Sequence, residues 1–178
     1  MRNKYKRKKL DVNFFYIFMS FILMATLWVF LVQPVEAKDN QPPIFTTSEN
    51  IFVYSLDSCI THLYKNLPAS KQIPKELIVA QAVIETGWGK SRFANESNNL
   101  FGIQSGLKEF KTKCDSVADY IRIINEVPAY AEFREMRQDG VTDALLLART
   151  LKKWAADPNY TDLIEDVIQH NIRGVYEL

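Results

Sequence analysis

The chain has 178 residues, 47% of them hydrophobic, and 22 Lys and Arg against 21 Asp and Glu give a formal charge of +1. That length suits one compact core with a leading segment and argues against two domains. Six basic and two acidic residues precede Lys38, leaving 16 basic and 19 acidic, about −3, from Lys38 onward; such a domain lacks the basic footprint of a nucleic-acid binder.

The first predicted element is an export segment. Arg2, Lys4, Lys6, Arg7, Lys8 and Lys9 form a basic head, and Phe14 to Val32 contain no charged residue. The run exceeds the roughly 7–15 residues of a cleaved signal and approaches the ~20 that span a bilayer. Val35-Glu36-Ala37 offers small residues to a signal peptidase. A signal peptide cleaved after Ala37 and an inner-membrane anchor over residues 14–33 therefore both fit. In either case the basic flank keeps the N-terminus cytoplasmic and sends the rest to the periplasm or cell envelope. Contact with the membrane is expected only through this segment. The division is thus residues 1–37 as signal or anchor, 38–49 as a polar linker containing Pro42-Pro43, and 50–178 as the domain.

The domain reads as helix after helix. Phe52, Leu56, Ile60, Leu63 and Leu67 recur at steps of three and four, predicting a helix from Ile51 that Pro68 closes. Pro74 opens a second helix through Ile84, so dense in apolar residues that it predicts the central one. Gly87-Trp88-Gly89 ends it, and Ser91 caps a short turn. Leu100–Gln104 and Lys108–Cys114 flank Ser105-Gly106 and suggest a small two-stranded ribbon. Asp115 or Ser116 caps a third long helix ending near Val127. Pro128 opens a short helix through Met136, Thr142 to Ala156 carries another helical stripe, and Asp157-Pro158 provides N-cap and N1 for the last helix. The fold class expected is mainly α with a small β-hairpin lobe. Cys59 and Cys114 lie 55 positions apart without metal-ligand spacing; they are able to pair in an oxidising compartment, but two small buried residues is the plainer reading.

Glu85 is the candidate for chemistry, although on the residues alone a Glu at a helix end more often simply reaches solvent. It lies one turn after Gln81 at the C-terminal end of the apolar helix, where burial and the negative end of the helix dipole both disfavour its charged form. A carboxyl so placed holds its proton to higher pH, as a general acid must. Trp88, between two glycines, presents a ring suited to stacking on a sugar face. His62 and His170 lie in no catalytic or metal motif and read as helix-surface residues. No metal and no organic cofactor is implied.

The run Ala80-Gln81-Ala82-Val83-Ile84-Glu85-Thr86-Gly87-Trp88-Gly89-Lys90-Ser91-Arg92-Phe93-Ala94, followed by Asn98-Asn99-Leu100-Phe101-Gly102, resembles the glucosaminidase family, glycoside hydrolase family 73. Pro128-Ala129-Tyr130-Ala131-Glu132-Phe133-Arg134, Arg137 and Asp157-Pro158-Asn159-Tyr160 extend the likeness, most closely to the Bax-type branch, from about Ile73 to the C-terminus. The resemblance implies a lysozyme-like fold and cleavage of peptidoglycan glycan strands after N-acetylglucosamine. It puts the catalytic acid on Glu85, cleft-lining residues on Asn98, Asn99, Phe101 and Gly102, and a functionally important late tyrosine on Tyr160; Gln81 and Trp88 join the substrate-binding candidates.

The departure is a short β-lobe, where family members carry a longer insertion and some place a second catalytic glutamate. Glu109 is the candidate here, although a Glu on an exposed ribbon is by default solvated. Without it, Tyr160 or the acetamido group of the substrate must serve. A lytic transglycosylase and a non-catalytic cell-wall binding relative are the competing functions.

Overall fold

The computed structural model describes residues 48–178. The expected signal or anchor and nearly all of the expected linker lie outside the described residues. Among the described residues no helix is long and apolar enough to cross a membrane.

Among the described residues there are seven α-helices and three short turns of other helix types: α1 (Ser48–Tyr64), a 3-10 turn (Ala69–Lys71), α2 (Lys75–Thr86), α3 (Arg92–Glu96), α4 (Lys113–Glu126), a 3-10 turn (Pro128–Tyr130), α5 (Ala131–Gln138), α6 (Ala144–Ala148), α7 (Tyr160–Val167) and a π turn (Ile168–Ile172). α1 begins inside the segment read as linker, with Val53, Leu56 and Ile60 as its buried face. α2 is the central helix, as its composition predicts: Leu77 to Val83 are buried without a break, and α1, α6, α7 and the π turn pack around it. An almost wholly apolar helix is stable only with neighbours on all sides, which is why it sits at the centre.

α2 stops where Gly87 enters the left-handed region (φ 55°) and its N–H bonds Val83 O at 2.8 Å. Trp88 and Gly89 continue with φ of 62° and 75°. At Gly89 a Cβ would lie 2.5 Å from the Phe52 ring, so a larger residue would force that ring out of its place.

Several expected boundaries move. The long helix is capped not by Asp115 or Ser116 but by Thr112, in a reciprocal capping box with Asp115, and the Ser116 hydroxyl is buried, accepting from Leu100 N–H at 3.0 Å. The stripe over Thr142–Ala156 is helical only through Ala148; Thr150 then turns its hydroxyl onto Leu147 O (2.8 Å) and the chain continues in turns. α7 starts at Tyr160, two residues beyond the expected Asp157-Pro158 start, with Asn159 as cap.

The β-ribbon does not form: among the described residues there is no strand. Residues 97–112 are bends and irregular chain around one turn at 103–107, organised by one buried side chain. Asn99 Nδ2 donates to Ile103 O (2.9 Å) and Lys108 O (3.0 Å), while its Oδ1 accepts from Ile103 N–H at 3.1 Å. The amide occupies groups that a cross-strand ladder would have used.

The cysteines are paired, contrary to the plainer sequence reading. Cys59 on α1 and Cys114 on α4 form a disulfide with Cα atoms 5.7 Å apart. Their sequence separation of 55 says nothing about distance; the packing of α1 on α4 decides it.

Candidate active site

Glu85 lies on the last turn of α2, half-buried, in a groove of about 400 Å³. One wall is the turn segment from Phe101 to Ser105; the other holds Ile123, Tyr130, Trp154 and Ala155. A larger cavity, about 680 Å³, lies between the Ala69–Lys71 turn and the C-terminal segment, but its carboxylate, Glu76, is ion-paired to Arg173 at 2.5 Å. The groove is the better place for acid chemistry because its carboxyl faces no cation there: burial raises the Glu85 pKa, and hydrogen bonds from Tyr160 and Trp154 only partly oppose it.

Tyr160, at the start of α7 and 4% exposed, donates its hydroxyl to Glu85 Oε1 at 2.9 Å. Gln81, one turn before Glu85 and fully buried, donates from Nε2 to Tyr160 Oη at 3.0 Å. Tyr120 on α4 in turn donates to Gln81 Oε1. Burial and the neighbouring Glu85 push the Tyr160 hydroxyl far up, so it stays a neutral donor. Gly102 closes the other side: with φ of 60°, its backbone approaches so nearly that a Cβ would lie 2.8 Å from Glu85 Oε2.

The glucosaminidase family profile, described as mannosyl-glycoprotein endo-beta-N-acetylglucosaminidase, matches residues 61–173. The chain belongs to the glucosaminidase family. It is similar to the exo-glucosaminidase LytG of Bacillus subtilis, 21% identical over 194 residues, covering 94% of this chain and 67% of that protein. It is also similar to protein bax of Escherichia coli, 33% identical over 78 residues, with 36% of this chain and 28% of that protein covered. The peptidoglycan hydrolase FlgJ of Vibrio parahaemolyticus is 26% identical over 126 residues, covering 54% of this chain and 40% of that protein. The chain thus spans less than half of the length of the last two. Its mainly helical architecture is that of a lysozyme-like glucosaminidase domain.

Within this glucosaminidase domain the sequence-derived candidates separate into three groups. Glu85, Gln81, Tyr160 and Gly102 come together, and Phe101 supports them, stacked on Tyr120 with ring centroids 4.4 Å apart. Asn99 braces Ile103 of the groove wall, whereas Asn98 lines a separate depression with Phe52 and Cys59; both amides are engaged with backbone, and Asn98 Nδ2 donates to Phe110 O at 3.0 Å. Trp88 and Glu109 are placed elsewhere. Trp88 lines a depression with Phe52 and Lys113, and exposed Glu109 is not among the residues lining the Glu85 groove.

Trp154 escaped the sequence reading, and Tyr120, which belongs with Asp119 to the family likeness, has no role in it. Trp154 shares the groove with Glu85 and packs edge-on to Tyr120 at 5.1 Å. Its only signal was an aromatic residue at the end of a helical stripe. Tyr130, quoted within the Pro-Ala-Tyr motif, lines the groove as well.

Proposed function

We propose that this glucosaminidase-family glycoside hydrolase acts on peptidoglycan, cutting the glycan backbone after N-acetylglucosamine, with Glu85 as general acid. The observation that carries the reading is the setting of Glu85: a carboxyl biased towards its protonated form, anchored on one oxygen by Tyr160, in a groove with the aromatic rings of Tyr130 and Trp154. Aromatic faces suit the apolar faces of sugar rings, and the proton goes to the leaving glycosidic oxygen.

Among the described residues lining the groove there is no second carboxylate. This favours the acetamido group of the substrate as nucleophile: its carbonyl oxygen bonds to the anomeric carbon as the glycosidic bond breaks. Water, deprotonated by Glu85, then opens that intermediate, with net retention of configuration. Tyr160 serves by holding the acid, and Glu109 remains a candidate only if the turn segment folds over a bound strand. The work is extracytoplasmic in this proposal, in keeping with the basic head and apolar run of residues 2–32 and with the disulfide.

Glu85→Gln preserves shape but cannot donate the proton, so glycan cleavage of purified sacculi should fall at least about 100-fold. Mass spectrometry of wild-type products should show a reducing N-acetylglucosamine end. An anhydro sugar would reassign the enzyme as a lytic transglycosylase, and near-normal turnover by folded Glu85→Gln would remove Glu85 as the acid.

A further inference from the structure

Behind the acid lies a line of buried polar groups that a substrate in the groove does not reach. Tyr120 and Gln81 are both 0% exposed. The order of donors along the line is set by Gln81, whose two amide atoms differ: Oε1 only accepts and Nε2 only donates. With Tyr120 donating to Oε1 and Nε2 donating to Tyr160 Oη, the single proton of Tyr160 is directed to Glu85 Oε1, 2.9 Å away.

Resting on the acid role of Glu85 argued above, we propose that Tyr120 and Gln81 are positioning residues. They hold the Tyr160 proton on Glu85 Oε1 and leave Oε2, the oxygen beside Gly102, to carry the proton given to and recovered from the reaction. A carboxyl oxygen occupied by a donated hydrogen bond is the poorer place for a second proton. Oε2 lies against a backbone that itself lines the groove. Gln81 thus acts on the acid rather than on the sugar, which differs from the substrate contact expected from its place in the motif.

The groups facing Glu85 are Tyr160 on α7 and Trp154 between α6 and α7, with Tyr120 on α4 and Tyr130 on the 3-10 turn behind Tyr160. The Tyr160 hydrogen bond favours the Glu85 carboxylate and opposes the effect of burial. Tyr120→Phe keeps the stacked ring but frees Gln81 Oε1. With that donor gone nothing fixes which way the amide faces, and an amide turned with Oε1 towards Tyr160 competes with Glu85 for the Tyr160 proton.

The test follows kcat against pH on solubilised glycan strands for wild type, Tyr120→Phe, Tyr160→Phe and the double variant, with Gln81→Met as an independent break in the line. In Tyr120→Phe, kcat should fall roughly tenfold, the order expected for losing a hydrogen bond to a charged group. The alkaline limb should move to higher pH. Tyr120→Phe added to Tyr160→Phe should change neither quantity further, because the line acts only through Tyr160. A folded Tyr120→Phe whose alkaline limb is unmoved or lower, or losses that add in the double variant, would overturn the proposal. Glu85→Gln, assayed alongside, separates the two levels: if it is inactive while Tyr120→Phe is unmoved, only the positioning role falls, and if it is active both fall.

Discussion

The Tyr160 hydroxyl stands 2.9 Å from Glu85 Oε1, joining residues 75 positions apart and tying the start of α7 to the end of α2. The contact depends on the packing of those two helices, so the carboxyl is oriented by the core itself. An exposed surface loop would leave such a carboxyl free to rotate, whereas a side chain buried at 4% exposure has one place to put its hydroxyl.

Tyr160→Phe and Glu109→Gln rank the two helpers proposed for Glu85. Tyr160→Phe retains the ring and loses the donor, so turnover should drop about tenfold or more, with KM nearly unchanged. Glu109→Gln removes an exposed charge from a residue outside the groove lining and should change turnover less than twofold. Steady-state kinetics of both on the same sacculi checks the order; a larger loss at Glu109 would favour a two-carboxylate mechanism.

Burial of Glu85 has a pH signature in stability as well as in activity. Its folded-state pKa is raised, so the folded protein binds the proton more tightly than the unfolded chain. The contribution is fully present below the unfolded-state value and is lost as pH rises through the folded-state value. At neutral pH the carboxylate therefore costs stability, and Glu85→Gln should raise Tm there while abolishing activity. At acidic pH, where both states are protonated, the Tm gain should vanish. Thermal melts at several pH values decide it, and a gain that persists in acid would point to a cause other than the charge.

Cys59 and Cys114 close a loop of 55 residues between α1 and α4. Chain-entropy reasoning gives such a crosslink about 4 kcal/mol of stabilisation as an upper figure. Replacing both by Ser should lower the denaturation midpoint while leaving the Glu85 groove, which neither residue lines, able to turn over at temperatures where the variant stays folded. Reductant should reproduce the loss in the wild type and not in the double variant.

How far these features were legible in the sequence follows from their range. The central helix and the chemical type of Glu85 are local properties: an uninterrupted apolar run must be buried, and a carboxyl at its end inherits that burial. The roles of Asn98 and Asn99 are not local. Their motif marks them as important, but only the fold shows that the Asn99 amide holds the carbonyls of Ile103 and Lys108, displacing the expected ribbon. The same holds for Trp154, which enters the groove because the chain leaves helical geometry after Ala148, against a helical pattern that runs on. Glu109 shows the converse: a plausible residue type in the right segment, placed on the surface because the chain there alternates, with Lys108 and Phe110 half-buried and Glu109 facing out.

Gly102 tests whether the acid needs its exact room. An alanine there meets two separate penalties, a left-handed backbone at φ 60° and a methyl 2.8 Å from Glu85 Oε2. The backbone term costs about 1–2 kcal/mol wherever it occurs. The contact cannot be tolerated in place, so the carboxyl must swing away from Gly102 and weaken its bond with Tyr160. Gly140 offers a matched control, because its φ is 87° and a Cβ there would meet nothing within 4 Å. Gly140→Ala should therefore lose similar stability and keep its turnover. Gly102→Ala should lose that stability and, in addition, at least about tenfold in kcat, the effect of misplacing a general acid by a fraction of an ångström. Denaturant unfolding and glycan turnover on the two variants separate the terms. Equal kcat values for Gly102→Ala and Gly140→Ala would mean that the close approach of Gly102 constrains the backbone without governing the acid.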